Sequence, residues 1–420
     1  MDRRFKFHIT PEKGWMNDPN GLVFYKGEYH IFYQHYPNDV NWGPMHWGHV
    51  TSKDLINFKH APIALYPDLE SGCFSGTAIV EGDTLYLVYT SFFERDGEVK
   101  QLQSLAFSTD GYNFKKYGLI IGEDKLPKEY SSSDFRDPKI YKKGDEYILL
   151  VAVRRVDGKG RIIMFKSPNL YDWKFESDIL DEDSKGIMIE CPDYNDELGL
   201  LIYCEQCQPV EGKYHLNLHT NRYRLGRIND NNKFITNYQD IIDYGFDFYA
   251  PQTFSNKNIL IAWMSMWDRD MYSREYGYAG ILTIPRKIEI INNRLYQTPI
   301  FDETNVEIVE IKDKYSTKIE YGVIKIKIDE LVDFKICVKE DKEEAYQIYI
   351  KDGFIVFDRS KTKNKISGAE TNDFSLKGER YMPFELNKDA EIYLVIDEFS
   401  VEFFYNGLSC SSLIYNSKSA

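Results

Sequence analysis

Val23-Phe24-Tyr25-Lys26-Gly27-Glu28-Tyr29-His30-Ile31-Phe32-Tyr33-Gln34 is the stretch that decides the fold class of this chain. Apolar side chains alternate on both sides of a Lys-Gly turn, the signature of two half-buried antiparallel strands. The same design recurs at residues 78–91 around Glu81-Gly82-Asp83 and at 139–153 around Lys142-Lys143-Gly144-Asp145, with weaker copies at 193–204 and 253–265. Five copies at intervals of about 50–60 residues mark a repeat architecture.

A second pattern, Ser-x-Asp/Asn-x-x-Asn/Asp-aromatic, follows each of the first three hairpins. It reads Ser52-Lys53-Asp54-Leu55-Ile56-Asn57-Phe58, then Ser108 to Phe114, then Ser167 to Trp173. A unit of four short strands repeated five times, with almost no helical periodicity, predicts an all-β chain with a five-bladed β-propeller over residues 1–295. A sandwich, the main rival, does not demand equal repeats. After Pro299 the composition changes: Lys, Glu, Asp and Ile alternate through 314–339, residues 345–357 and 392–405 read apolar/polar with period two, and Asn406-Gly407 makes a turn. This predicts a C-terminal antiparallel β-sandwich over 305–420.

A chain of 420 residues exceeds the size of one core, in line with two domains. Its 32 Tyr and 26 Phe suit strands and sites that stack on flat ligand faces. The net charge of −14 excludes a general nucleic-acid binder, which needs a basic stripe for phosphates. No apolar stretch has the length of a signal-peptide core or a membrane span, so the expectation is a cytoplasmic protein without a membrane partner. Six cysteines, at 73, 191, 204, 207, 337 and 410, do not form a disulfide framework at this length. Cys204-x-x-Cys207 followed by His215 and His219 superficially resembles a zinc finger, but the intervening gap is too short, and no metal is expected there.

Acidic residues gain meaning from their place in the repeat. Asp18-Pro19 precedes the first hairpin, Asp137-Pro138 the third and Glu190-Cys191-Pro192 the fourth, so three carboxylates share one structural address. In a propeller such positions meet at one mouth of the central channel. Carboxylates gathered there repel one another and raise at least one pKa, an arrangement that points to chemistry. Taken singly, an Asp-Pro segment is commonly only a turn; the shared register is what argues otherwise. Arg136 suits either an ion pair with Asp137 or substrate binding, and Trp15, Trp42 and Trp47 suit either a core or a stacking wall for a sugar.

At these residues the sequence resembles glycoside hydrolase family 32, the invertase and fructanase family. Trp15-Met16-Asn17-Asp18-Pro19-Asn20-Gly21 is similar to that family's nucleophile motif at every position, Arg136-Asp137-Pro138 to its transition-state stabiliser motif, and Glu190-Cys191-Pro192-Asp193 to its acid/base motif. Further resemblances follow in the family's order at residues 43–49, 73–78, 247–252, 282–286 and 400–407. Ile189 stands where a Trp often precedes the Glu, and Glu205-Gln206-Cys207-Gln208 replaces a Ser-Pro-Gln type of segment, departures on the leaving-group side.

The resemblance implies a retaining β-fructofuranosidase with Asp18 as nucleophile, Glu190 as acid/base and Asp137 on the sugar's hydroxyls. It implies a fructose pocket shaped by Asn17, Gln34, Trp42, Phe74, Ser75, Arg136 and Trp263, a small carbohydrate as the partner, and no metal or organic cofactor. Sucrose, sucrose 6-phosphate and short fructo-oligosaccharides rank ahead of inulin or levan, with a fructosyltransferase or an inactive sugar-binding propeller as alternatives. A phosphorylated substrate needs a cation near the leaving group, for which Arg154, Arg155 and Arg222 are candidates.

Overall fold

The computed structural model describes residues 3–214, 216–267, 269–310, 314–317, 321–327, 334–341, 344–362, 378–385, 387 and 391–415. Among them there is no α-helix, only three short 3-10 turns, and no helix long and apolar enough to cross a membrane.

Five antiparallel four-stranded sheets come first, their strands consecutive in the chain except that the two-residue strand Tyr278–Ala279, within the fifth, pairs with the first. The first contains Gly14–Tyr25, Glu28–Tyr36, His46–Ser52 and Phe58–Leu65, and the second Gly72–Glu81, Thr84–Arg95, Glu98–Ser108 and Lys115–Ile121. The third contains Tyr130–Lys143, Glu146–Arg155, Gly160–Ser167 and Lys174–Asp178; the fourth, Met188–Asn195, Leu200–Gln206, Thr220–Ile228 and Phe234–Asp240. The fifth contains Tyr249–Thr253, Ile259–Trp263, Arg286–Ile291 and Arg294–Pro299. All five hairpins read from the sequence lie where expected. The first strands of successive sheets pack side by side, and that of the fifth packs against that of the first. On the open side of the first strand, Gly14 and Trp15 pair in parallel with Tyr278 and Ala279.

The Ser-x-Asp motif closes the third strand of the first three sheets. Ser52 Oγ accepts from the Leu55 N–H at 2.8 Å while Asp54 Oδ1 accepts from the N–H groups of Ile56 and Asn57 at 2.9 and 2.8 Å. Ser108 with Asp110 and Ser167 with Asn169 repeat the turn. Short side chains there give the backbone its turn partners, which is why the pattern survives while the rest of each strand varies.

Two five-stranded sheets follow, sharing one apolar core that includes Ile324, Ile336, Tyr346, Phe357, Leu394 and Phe403. They correct the expectation of an antiparallel sandwich. Val306–Glu310 pairs in parallel with Gly322–Lys327, and Lys314–Thr317 in parallel with Lys335–Asp341. The chain alternates between the sheets across these four strands, so neighbours within a sheet are two strands apart and run the same way. Beyond them the pairing is antiparallel.

Buried ions tie the elements together. Lys139 Nζ, just past Pro138, bonds Asp193 Oδ2 at 2.5 Å and the Thr253 carbonyl at 2.9 Å, joining the first strands of the third, fourth and fifth sheets. At the junction with the C-terminal sheets Arg286, wholly buried, reaches Asp243 at 3.1 Å and Glu402 at 2.6 Å. His8 stands between Asp397 at 2.8 Å and Glu402 at 2.9 Å. Burial alone would push the His8 imidazolium down, but the two carboxylates lift it from 6.5 to about 9. A histidine raised in the folded state stabilises fully below its unfolded value and loses that contribution as pH climbs through the folded one. The gap in urea-unfolding free energy between wild type and His8→Gln is therefore expected to shrink by on the order of 3 kcal/mol between pH 6 and pH 9.5. A pH-independent gap would refute the charged assignment.

Candidate active site

Every one of the five first strands breaks its ladder near the same level. In the first sheet Met16 pairs with His35 and Pro19 with Tyr33, so Asn17 and Asp18 together oppose one residue. Arg136 pairs with Ala152 and Lys139 with Leu150, leaving Asp137-Pro138 bulged; Glu190 pairs with Cys204 and Asp193 with Ile202, leaving Cys191-Pro192. Tyr249 pairs with Trp263 and Gln252 with Ile261, leaving Ala250-Pro251, and in the second sheet Ser75 is the extra residue between Phe74 and Gly76. Proline has no N–H for a ladder, and a bulge is where a strand tolerates that loss. The residues before three of these prolines pay in backbone conformation, with φ of 62° at Asp137, 49° at Cys191 and 48° at Ala250.

The bulges refine the shared address of the carboxylates. Asp137 is the first bulged residue of its strand and Asp18 the second, whereas Glu190 is the last paired residue before the bulge. A bulge re-aims side chains one step at a time, so three successive positions turn toward one space.

That space is small. Cys191 Sγ lies 3.6 Å from Asp18 Oδ2 and 3.6 Å from Asp137 Oδ2, and the Cys191 N–H donates to Asp137 Oδ2 at 2.9 Å. Ser75 Oγ donates to Asp18 Oδ2 at 2.9 Å, whereas Asp18 Oδ1 is buried with no hydrogen-bond partner. Glu190 is held on both oxygens. Oε1 accepts from Arg136 Nε at 3.1 Å and Nη2 at 2.9 Å, and Oε2 from Gln206 Nε2 at 2.8 Å and the Tyr249 hydroxyl at 2.6 Å. Arg136 also pairs with Asp134 at 3.0 Å, which in turn bonds Arg154.

Three buried carboxylates around one nearby guanidinium leave the pocket short of positive charge. Burial, reinforced by the charge of Glu190, lifts Asp18 to about 6 against the bonds from Asn17, Ser75 and Cys191. Burial also lifts Asp137 to about 7; Arg136 opposes this, and the charges of Glu190 and Asp18 add to it. Carboxylates shifted in this way by burial and by one another mark a candidate functional site.

The remaining residues expected from the sequence form a rim and a support. Trp42 is 47% exposed, its ring edge-on to Phe74 at 6.0 Å, and Phe74 stacks on Phe92 at 4.4 Å. Asn17 Oδ1 accepts from Trp15 Nε1 at 2.7 Å. Gln34 is buried and spends its amide on the Cys73 carbonyl at 3.0 Å. Trp263 is wholly buried, edge-on to Trp15 at 6.2 Å and to Trp267 at 5.1 Å, and it pairs with Tyr249 across the ladder of the fifth sheet. Arg155 pairs with Asp157 at 3.1 Å and Arg222 with Glu205 at 2.7 Å. Cys204 is buried beside Tyr249 and Trp15, the Cys207 N–H donates to His219 Nδ1 at 3.3 Å, and His215 lies outside the described residues. Among the described residues no cluster of His, Cys, Asp or Glu could hold a metal ion.

Tyr249 and Gln206, two of the three groups that hold Glu190, were not singled out from the sequence. A signal existed for the first: Tyr249-Ala250-Pro251 aligns with Arg136-Asp137-Pro138 and Glu190-Cys191-Pro192. Gln206 sits inside the segment that departs from the expected pattern.

The family model for the glycosyl hydrolases family 32 N-terminal domain matches residues 8–299. A sucrose-6-phosphate hydrolase of Zymomonas mobilis is 33% identical over 95% of this chain and 83% of its own length. A raffinose invertase of Escherichia coli is 30% identical over 97% of this chain and 89% of its own. Among solved structures, a β-fructofuranosidase from Bombyx mori matches with a TM-score of 0.82 at 31% identity, covering 99% of this chain and 90% of that one. A sucrose-6-phosphate hydrolase from Lactobacillus gasseri matches with a TM-score of 0.87 at 25% identity, covering 100% of this chain and 89% of that one. With the carboxylates, their bulged strands and these likenesses all in agreement, the chain belongs to glycoside hydrolase family 32.

Proposed function

We propose that this protein is a retaining β-fructofuranosidase acting on sucrose and sucrose 6-phosphate, and that its five sheets are the blades of a propeller over residues 1–295 followed by a sandwich over 305–420. The cyclic packing of the five first strands supports the propeller. The observation that carries the function is the convergence of Asp18 and Asp137 on Cys191, with Glu190 beside it, in a chain of this family.

Asp18 Oδ1, the one oxygen of that carboxylate without a donor, attacks the anomeric carbon while Glu190 protonates the departing oxygen. The C–O bond to the leaving sugar breaks and an ester to Asp18 forms. Water then attacks that carbon, Glu190 takes its proton, and fructose leaves with its configuration retained. Asp137 holds ring hydroxyls, in bonds that strengthen as positive charge develops on the ring. That developing charge also relieves the carboxylate repulsion, so the pocket favours the transition state over the empty site.

Arg154 connects to Glu190 through Asp134 and Arg136, which supports a leaving group with an anionic substituent, and Arg222 pairs with Glu205 on the strand that carries Gln206. Both cations already have carboxylate partners, so a phosphate must compete for them, and sucrose ranks first. Six thiols, none in a disulfide, support a reducing, cytoplasmic setting.

NMR of the first-formed fructose is expected to show the β anomer, and kcat/KM on sucrose or sucrose 6-phosphate is expected to exceed that on inulin by tenfold or more. The α anomer would remove Asp18 as nucleophile. A tenfold preference for inulin, about 1.4 kcal/mol of discrimination, would make the protein an exo-acting fructanase.

A further inference from the structure

Glu190 has two jobs in this reaction, as acid and then as base, and in the free site all of its acceptor positions are filled. Its partners differ in kind. Arg136 has only N–H groups and can never accept a hydrogen bond, so Oε1, which takes two of them, is kept as the oxygen without a proton. On Oε2 the Gln206 amide nitrogen also only donates, but the tyrosine hydroxyl beside it can donate or accept by rotating about its C–O bond. Tyr249 Oη lies 2.6 Å from Oε2, and the Tyr249 side chain is fully enclosed.

We propose that Tyr249 is the positioning residue that fixes Oε2 as the proton-bearing oxygen of Glu190, accepting from the acid and donating to the carboxylate. The inference rests on the proposed role of Glu190. As Glu190 hands its proton to the leaving oxygen, the Tyr249 hydroxyl rotates and donates to the carboxylate that forms; when water returns a proton to Oε2, the hydroxyl rotates back. Tyr249 gives up no proton itself. Burial, with the nearby charge of Glu190, holds its phenol well above the ordinary range, so it remains an O–H donor throughout.

Several other groups face this pair. Arg136 meets Glu190 from the third sheet, and Asp18 and Asp137 lie beside it. Cys191 and Cys204 approach Tyr249 from the fourth sheet, and the His219 ring lies edge-on to Tyr249 at 5.9 Å. The strained Ala250 that follows Tyr249, with φ of 48°, fixes where the ring leaves the strand.

Tyr249→Phe keeps the ring and removes the hydroxyl. It is expected to lower kcat/KM on sucrose by about 10–100-fold, the loss of one hydrogen bond to a charged group, and on β-fructofuranosyl fluoride, which departs without a proton, by less than about threefold. The alkaline limb of its sucrose profile is expected to move up by about one pH unit, because the carboxylate loses a donor. Replacing Tyr249 with 3,5-difluorotyrosine, a stronger donor in the same shape, should move that limb the other way and covers the case in which the Phe variant does not fold. Equal losses on both substrates, or a limb unmoved in either variant, would overturn the inference while leaving the β-fructofuranosidase reading intact. A wild-type protein that cleaves neither substrate would instead refute that reading.

Discussion

Asp18→Asn is expected to lose at least about 10⁴-fold in kcat/KM on sucrose, the scale on which removal of a nucleophile acts, and yet to be more stable than wild type at pH 7.5. The activity loss follows from chemistry: an amide oxygen cannot form the glycosyl ester, and Glu190 cannot substitute because its oxygens are turned to Arg136, Gln206 and Tyr249. The stability gain follows from the site's electrostatics. Burial and Glu190 lift the folded Asp18 carboxyl to about 6 from 3.8, so at pH 7.5 the fold holds an anion that the unfolded chain accommodates at no cost. An acid raised in this way destabilises above its folded value, and the penalty disappears below its unfolded one. Asparagine can keep the bond from Ser75 and removes the charge. The gain should be about 1–3 kcal/mol at pH 7.5 and should fade toward pH 4. Chemical denaturation at the two pH values measures it. A variant less stable than wild type at pH 7.5 would show that the carboxylate is satisfied in ways the geometry does not contain.

Glu190→Ala is expected to separate substrates by their leaving groups. On sucrose, whose alkoxide must be protonated as it departs, kcat should fall by about 10²–10⁴-fold, the usual contribution of a general acid. On β-fructofuranosyl fluoride the first step should survive, and the fructosyl-enzyme should accumulate because no base activates water. Azide needs no deprotonation and is expected to restore turnover, giving a fructosyl azide. If azide leaves both rates unchanged, the acid/base is another residue. The substitution also frees Arg136 and Tyr249 from their common partner, so KM for sucrose should be read beside kcat to separate altered binding from lost proton transfer.

The strand order of the first five sheets was legible from residues 23–34 and their copies because a hairpin is local: period-two burial and a Gly-containing turn lie within a dozen residues. The nucleophile, stabiliser and acid/base positions were legible for a related reason, since each is tied to a proline in or next to a break in the ladder. What was not legible is what depends on contacts between distant segments. The one-residue offsets among Asp18, Asp137 and Glu190 are visible only in the pairing registers. The packing of Trp263 against Trp15, far from it in the chain, is visible only in the fold. The parallel pairs of the C-terminal sheets escaped because alternation along a strand says which face is buried, not which neighbour it finds.

The pairing of Gly14 and Trp15 with Tyr278 and Ala279 has a bearing on how the protein is made. The strand that carries Asp18 meets its partner on the inner side roughly 260 residues downstream, which at about 5–20 residues per second leaves the start of that side open for on the order of 13–50 s during synthesis. For all of that time the first two residues of the strand lack their partner on that side, and an unpaired strand edge is the kind of surface that pairs with other chains. Slower elongation after the fourth sheet should therefore cost soluble yield before it costs activity per folded molecule, and a chaperone that shields strand edges should help most in that interval.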